Sequence, residues 1–151
     1  MASAFDTTLE RLKGEGIGAE LHAIALAQLA ADFNVYAGLP CFSPMINIIR
    51  DPMCGRNSEA YSEDPFLTGE MARAVIHGMR GSDPEYIRAF GGCKHFLPRR
   101  RGADPRLGFR PLFATYLPGF ARCIEAGGPG SGIRTWWRRR RCGLAATLPC
   151  R

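Results

Sequence analysis

PCFSPMINIIR, residues 40–50, decides how the rest of the chain is read. Met45, Ile46, Ile48 and Ile49 form an apolar run too short for a good helix, bounded by Pro44 and by Arg50-Asp51-Pro52. A short, nearly continuous apolar run suits a strand covered on both faces, as in a parallel sheet. Upstream, IGAELHAIALAQLAAD places Leu21, Ala25 and Leu29 four apart with Ile24 on the same face, which predicts a helix over 17–32. Downstream, Asp64 is an N-cap signal and Pro65 suits the first helical position. A helix is therefore expected over 65–80, with Leu67, Met71, Ala74, Val75, Gly78 and Met79 as its apolar stripe and Gly81 as its stop. YIRAFGGC, residues 86–93, reads as a second strand ending in Lys94-His95-Phe96. A last helix is expected over 109–126, with Pro111 and Pro118 near its start or at a kink and Leu112, Tyr116, Phe120 and Ile124 as its stripe.

The order is helix, strand, long loop, helix, strand, loop, helix. That alternation belongs to βαβ units, so the expected fold class is α/β with parallel strands. Ligands in such sheets meet the loops after the strands. Two places qualify: the DPMCGRNSE loop at 51–59, and Lys94-His95.

With 151 residues, the chain is too short for a closed eight-stranded α/β barrel, which takes roughly 200–250 residues. No apolar run approaches the roughly 18 residues of a membrane span, and no basic start followed by an apolar block marks a signal peptide. The net charge of +6 hides a break. Residues 1–97 carry 8 Lys/Arg against 12 Asp/Glu, whereas residues 98–151 carry 12 Arg against Asp104 and Glu125 alone. Three segments follow: a polar, Gly-interrupted stretch at 1–16, a domain at 17–126, and an irregular Arg-rich tail at 127–151. The tail motif WWRRRR suits phosphate contacts and base stacking, or a solvated basic tail. Its Arg-only basicity and lost periodicity are also what a shifted reading frame in GC-rich DNA produces, and that reading is preferred. A nucleic-acid partner is disfavoured because the acidic first 97 residues offer it no surface. The six cysteines form no CxxC pair, which argues against a zinc clip; no cofactor is expected. Disulfides are permitted, and their spacing fixes no compartment.

Arg56 follows Cys54-Gly55 in a loop leaving a strand end. A guanidinium there can grip sugar hydroxyls or a carboxylate. Spacing alone favours the plainer reading, a salt bridge to Glu59, Glu63 or Asp64. Lys94 and His95 are either a pair of donors gripping a polar ligand, or one solvated lysine and one core histidine; composition leaves both open. Glu59, Glu63 and Asp64 invite an acid/base reading, but Asp64 is better explained as a cap, and Glu59 and Glu63 as partners of Arg50 or Arg56. His22, alone on a helix, reads as structural or solvated.

FSPMINIIRDPMCGRNSEAYSEDPFLTGEMARAVIHGMRG followed by GGCKHF resembles glycoside hydrolase family 3, most closely its β-xylosidase-like and β-glucosidase-like members. Ser43-Pro44, Ile46-Asn47-Ile48, Arg50-Asp51-Pro52, Gly55-Arg56, Glu59, Glu63-Asp64-Pro65 and Lys94-His95-Phe96 fall in register with the family pattern. The likeness covers about residues 40–96, and 17–126 more weakly. It implies part of a (β/α)8 TIM-barrel domain of a retaining glycosidase acting on β-glycosides or oligosaccharides in xylan breakdown. It also implies that Arg56, Lys94 and His95 bind the substrate sugar, and that the location is extracellular. Cys54 stands where the family has tryptophan. Leu97-Pro98-Arg99-Arg100-Arg101 interrupts the region after Phe96, and no block matches the nucleophilic aspartate or the acid/base residue. The expected product is an inactive fragment that grips sugar. The rivals are a non-catalytic carbohydrate-binding pseudoenzyme and, behind it, a basic nucleic-acid-binding protein.

Overall fold

Asp64 caps the best-defined helix. Its carboxylate accepts from the Phe66 and Leu67 amides at 3.1 Å each, and α2 (Pro65–Arg80) runs over the expected residues. The computed structural model describes residues 2–31, 39–96 and 108–128. Along them lie a 3₁₀ turn at Ala2–Ala4, α1 (Thr7–Ala31), β1 (Pro40–Cys41), a 3₁₀ turn at Asn57–Glu59, α2, β2 (Phe90–Gly91), the stub α3 (Phe109–Pro111), a widened turn at Leu112–Tyr116, and α4 (Leu117–Glu125). The expected alternation of helix and strand is present. Asp104, the Leu97–Arg101 interruption and the WWRRRR motif lie outside the described residues.

β1 and β2 are parallel, with Pro40 opposite Phe90 and Cys41 opposite Gly91. Pairing resumes at a Met45–Lys94 bridge. The offset between partners changes by one residue over that interval, so the first strand carries a bulge. The regular strands are thus much shorter than the expected 40–50 and 86–93. Pro44 has no amide to donate at this point, although its carbonyl still accepts from Lys94 N at 3.1 Å.

α1 corrects the sequence expectation in two ways. It starts at Thr7, not residue 17, with the Asp6 carboxylate accepting from Thr8 N at 2.7 Å and Leu9 N at 3.3 Å. Gly14 and Gly18, which read as interruptions, are instead the contact with α2: a Cβ on Gly18 would sit 2.6 Å from the Met79 carbonyl oxygen, and one on Gly14 3.1 Å from the Gly78 Cα. Helix backbones meet this closely only where side chains are absent. The packing face therefore runs through Glu10, Gly14, Gly18, Leu21 and Ala25, while Ile24 and Leu29 are exposed. Residues 17–32 are apolar around most of the helix, so periodicity could not select the true face. Glu10 is buried and paired with Lys13, whose ammonium lies 5.4 Å from the Tyr61 ring centre. Burial, with Glu10 beside it, pushes the Tyr61 phenol well above its usual range. His22 donates Nδ1–H to the Arg88 carbonyl at 3.0 Å, a structural role.

α2 is buried on two sides, which adds Thr68, Ala72 and Ile76 to the expected stripe and leaves Leu67 and Ala74 half-buried. Ile46, Val75, Ile76, Met79, Phe120 and Cys123 form the centre of the core. Burying each large apolar side chain there contributes about 2 kcal/mol. Before α4 the chain adopts a π turn at Leu112–Tyr116, between Pro111 and Pro118. Pro118 cannot donate to the preceding turn and its ring crowds the carbonyl four residues back, so the helix widens there. The buried side of α4 is Gly119, Phe120, Cys123 and Ala126; Ile124, expected in the stripe, is exposed. α4 ends in a Schellman motif. Gly127 (φ 83°) donates to Ile124 O at 2.8 Å and Gly128 to Cys123 O at 2.9 Å.

Candidate functional site

The strand end that carries Lys94 and His95 is held at each neighbouring residue. Cys93 forms a disulfide with Cys123 of α4. Lys94 occupies the last paired position, its carbonyl accepting from Ile46 N at 2.6 Å. The His95 peptide is clamped by Asn47, which accepts from His95 N at 2.7 Å and donates to His95 O at 3.0 Å. Phe96 packs edge-on against Phe120, with ring centres 5.4 Å apart. With the backbone fixed at 93, 95 and 96, the Lys94 side chain extends from a defined base.

The opposing loop is built just as locally. The Asp51 carboxylate accepts from Met53 N at 2.9 Å, and the Asp51 carbonyl accepts from Cys54 N at 3.0 Å and from Asn57 Nδ2 at 2.8 Å. These bonds fold residues 51–57 back so that Asn57–Glu59 form a 3₁₀ turn. In such a turn residues three apart nearly eclipse one another, so Arg56 and Glu59 meet. Arg56 grips the Glu59 carboxylate with both Nε and Nη2, the latter at 2.7 Å from Oε2. Lys94 Nζ lies 3.7 Å from that same oxygen. The hydrogen bond from Arg56 holds the Glu59 carboxyl below its usual range, and the charges of Arg56, Lys94 and His95 act in the same direction.

Arg56 and Lys94 thus converge on one carboxylate, with His95 near enough to act on it electrostatically. Of the three acids that spacing offers Arg56, Glu59 is the one it pairs with. Of the expected pairings with Arg50 or Arg56, Glu59 takes Arg56; the Arg50 guanidinium lies 5.9 Å from the Tyr116 ring centre. Asp64 caps α2 and Asp51 shapes its own loop, so both carboxylates already have structural roles. Glu63 is exposed. Sequence reasoning gave Asn47 no role. Its signal was available: a polar residue between Ile46 and Ile48, only 9% exposed, must find partners.

At this site Arg56 and Glu59 are exposed, and Lys94 and His95 half-buried. A separate hollow between the start of α1 and α2 is lined by Thr7, Arg11, Glu70, Arg73 and His77, and shares no residue with it. Cys54 is exposed and Cys41 half-buried; burial raises the Cys41 thiol's pKa. Among the described residues no cluster of His, Cys, Asp and Glu is placed to hold a metal, and no helix is long and apolar enough to cross a membrane.

Residues 19–127 match the family described as Glycosyl hydrolase family 3 N terminal domain. Beta-glucosidase A of Butyrivibrio fibrisolvens is 36% identical over 94 residues, covering 59% of this chain and 11% of the relative. Probable beta-D-xylosidase 7 of Arabidopsis thaliana is 35% identical over 118 residues, covering 68% of this chain and 15% of the relative. Among solved structures, a GH3 exo-beta-xylosidase (XlnD) in complex with a xylobiose aziridine probe aligns with a TM-score of 0.73 at 26% identity, over 84% of this chain and 17% of that one. A beta-glucosidase from Listeria innocua in complex with glucose aligns with a TM-score of 0.62 at 29% identity, over the same shares. The chain spans less than a fifth of the length of these relatives.

Proposed function

Because the chain belongs to glycosyl hydrolase family 3 through its N-terminal domain, we propose that it forms part of the sugar-binding face of a (β/α)8-type β-glycosidase, xylosidase- or glucosidase-like. In this reading Arg56, Lys94 and His95 donate to the hydroxyls of one sugar ring. The convergence of Arg56 and Lys94 on Glu59 carries it. A pyranose offers several hydroxyl acceptors close together, and two fixed cations with unspent N–H groups match that pattern. Such bonds can strengthen as the ring gains oxocarbenium character.

We further propose that this chain grips sugar without cleaving it. Double displacement needs a carboxylate free to attack and a second to shuttle the proton. Near the site, Glu59 is taken by two cations, Asp51 by its loop and Asp64 by its helix. This also favours the pseudoenzyme alternative, which requires the grip alone. The test is calorimetric titration with xylose and xylobiose, beside turnover of aryl β-xylosides and β-glucosides. Binding that is lost in Arg56→Ala, without turnover, is expected. Absence of sugar binding in the unaltered chain would overturn the site assignment. Turnover abolished by Arg56→Ala would overturn the inactive reading.

A further inference from the structure

Glu59 sits on a 3₁₀ turn closed by Glu59 N donating to Arg56 O at 3.1 Å and stapled by Asn57 to Asp51. Both oxygens of its carboxylate are engaged: Oε1 by Arg56 Nε, and Oε2 by Arg56 Nη2 at 2.7 Å and Lys94 Nζ at 3.7 Å. Without it, two like charges would face each other on long, rotatable side chains. We propose that Glu59 is a positioning residue: it locks the Arg56 guanidinium and the Lys94 ammonium side by side, so that their remaining N–H groups meet adjacent hydroxyls of one sugar ring. This rests on the sugar-binding reading above and deepens it, because it selects ligands with neighbouring hydroxyls over isolated ones. Glu59 then acts through two other residues and not on the sugar.

A merely structural ion pair at this exposure would contribute little to stability, so stability and binding separate the two roles. Glu59→Gln keeps the shape and removes the charge; Glu59→Asp keeps the charge with a shorter reach. The experiment reads the Arg56 Nε–H signal in ¹⁵N spectra, the thermal midpoint, and calorimetric affinity for xylobiose. In Glu59→Gln the signal is expected to lose its distinct position and exchange protection. Xylobiose affinity falls about tenfold, because two side chains must now be ordered on binding, while the thermal midpoint stays put. Glu59→Asp recovers part of the affinity. An unchanged Arg56 signal in Glu59→Gln would overturn the proposal, as would unchanged affinity. If the unaltered chain gives no binding heat, the sugar-binding reading fails; loss of the Arg56 signal in Glu59→Gln still supports the lock, and its persistence overturns it.

Discussion

Asn47→Ala removes a side chain that holds the His95 peptide from both sides. Two bonds go: His95 N–H to Oδ1 at 2.7 Å, and Nδ2–H to the His95 carbonyl at 3.0 Å. Asn47 is 9% exposed, while half-buried His95 retains some access to water. A buried polar group stripped of its partner costs about 1–3 kcal/mol. With two groups affected and water reaching one side, the loss should be about 3 kcal/mol. That is a large share of a small domain's stability. Urea unfolding followed by circular dichroism measures the loss, and amide hydrogen exchange locates it. The His95 amide should lose its protection, whereas the Ile76 amide inside α2 should exchange more slowly than His95 in the variant. Asn47→Asp keeps the acceptor and loses the donor, so it should fall between the two and remain folded if Asn47→Ala does not. Destabilisation below about 0.5 kcal/mol, or unchanged His95 protection, would refute the clamp.

Three further outcomes are expected. Reducing the Cys93–Cys123 disulfide, whose cysteines are 30 residues apart, should lower stability by about 3.5 kcal/mol through the freed loop entropy of the unfolded chain, measured by urea unfolding with and without dithiothreitol. Gly78→Ala should destabilise by about 2 kcal/mol although alanine favours helix, because its Cβ would press on the Arg11 carbonyl and lie 2.9 Å from the Gly14 Cα, backbone that no rotamer change can move; a gain in stability would contradict the close helix contact. The folded-state pKa of Glu59 lies below its ordinary 4.5, so its ion pair contributes fully above pH 4.5 and is lost only as the pH falls through the lowered value. The Arg56 Nε–H signal should therefore be intact at pH 4.5, and half-loss there would show an unperturbed carboxyl.

What could be read from the chain depended on whether a signal was local. Asp64-Pro65 is a self-contained start signal, and α2 begins where it says. The pairing of Arg56 with Glu59 is equally local, three residues apart on one turn. The true start of α1 was hidden because glycines are ordinarily poor helix formers. Gly14 and Gly18 are tolerated because α2 presents Gly78 to the same contact, a pairing across more than sixty residues that periodicity does not report. The short extent of the strands was hidden for a similar reason: an apolar run shows that residues are covered, but not which amides are paired. Cys93 and Cys123 gave no spacing clue, since their proximity is made by α4 folding back on the end of β2. Composition leaves Lys94-His95 open because what holds them lies far off in sequence: Asn47 bonds the His95 backbone and Glu59 lies 3.7 Å from the Lys94 ammonium.

In the proposed function Arg56, Lys94 and His95 serve one sugar. A ¹H–¹⁵N titration of the unaltered chain with xylobiose tests it directly. The signals of Arg56 Nε–H and of the Lys94 and His95 amides are expected to shift together along one saturation curve, while those of Arg11 and Arg73 beside the other hollow stay still. Shifts confined to Arg11 and Arg73, or curves for Arg56 and Lys94 that saturate at different concentrations, would contradict it.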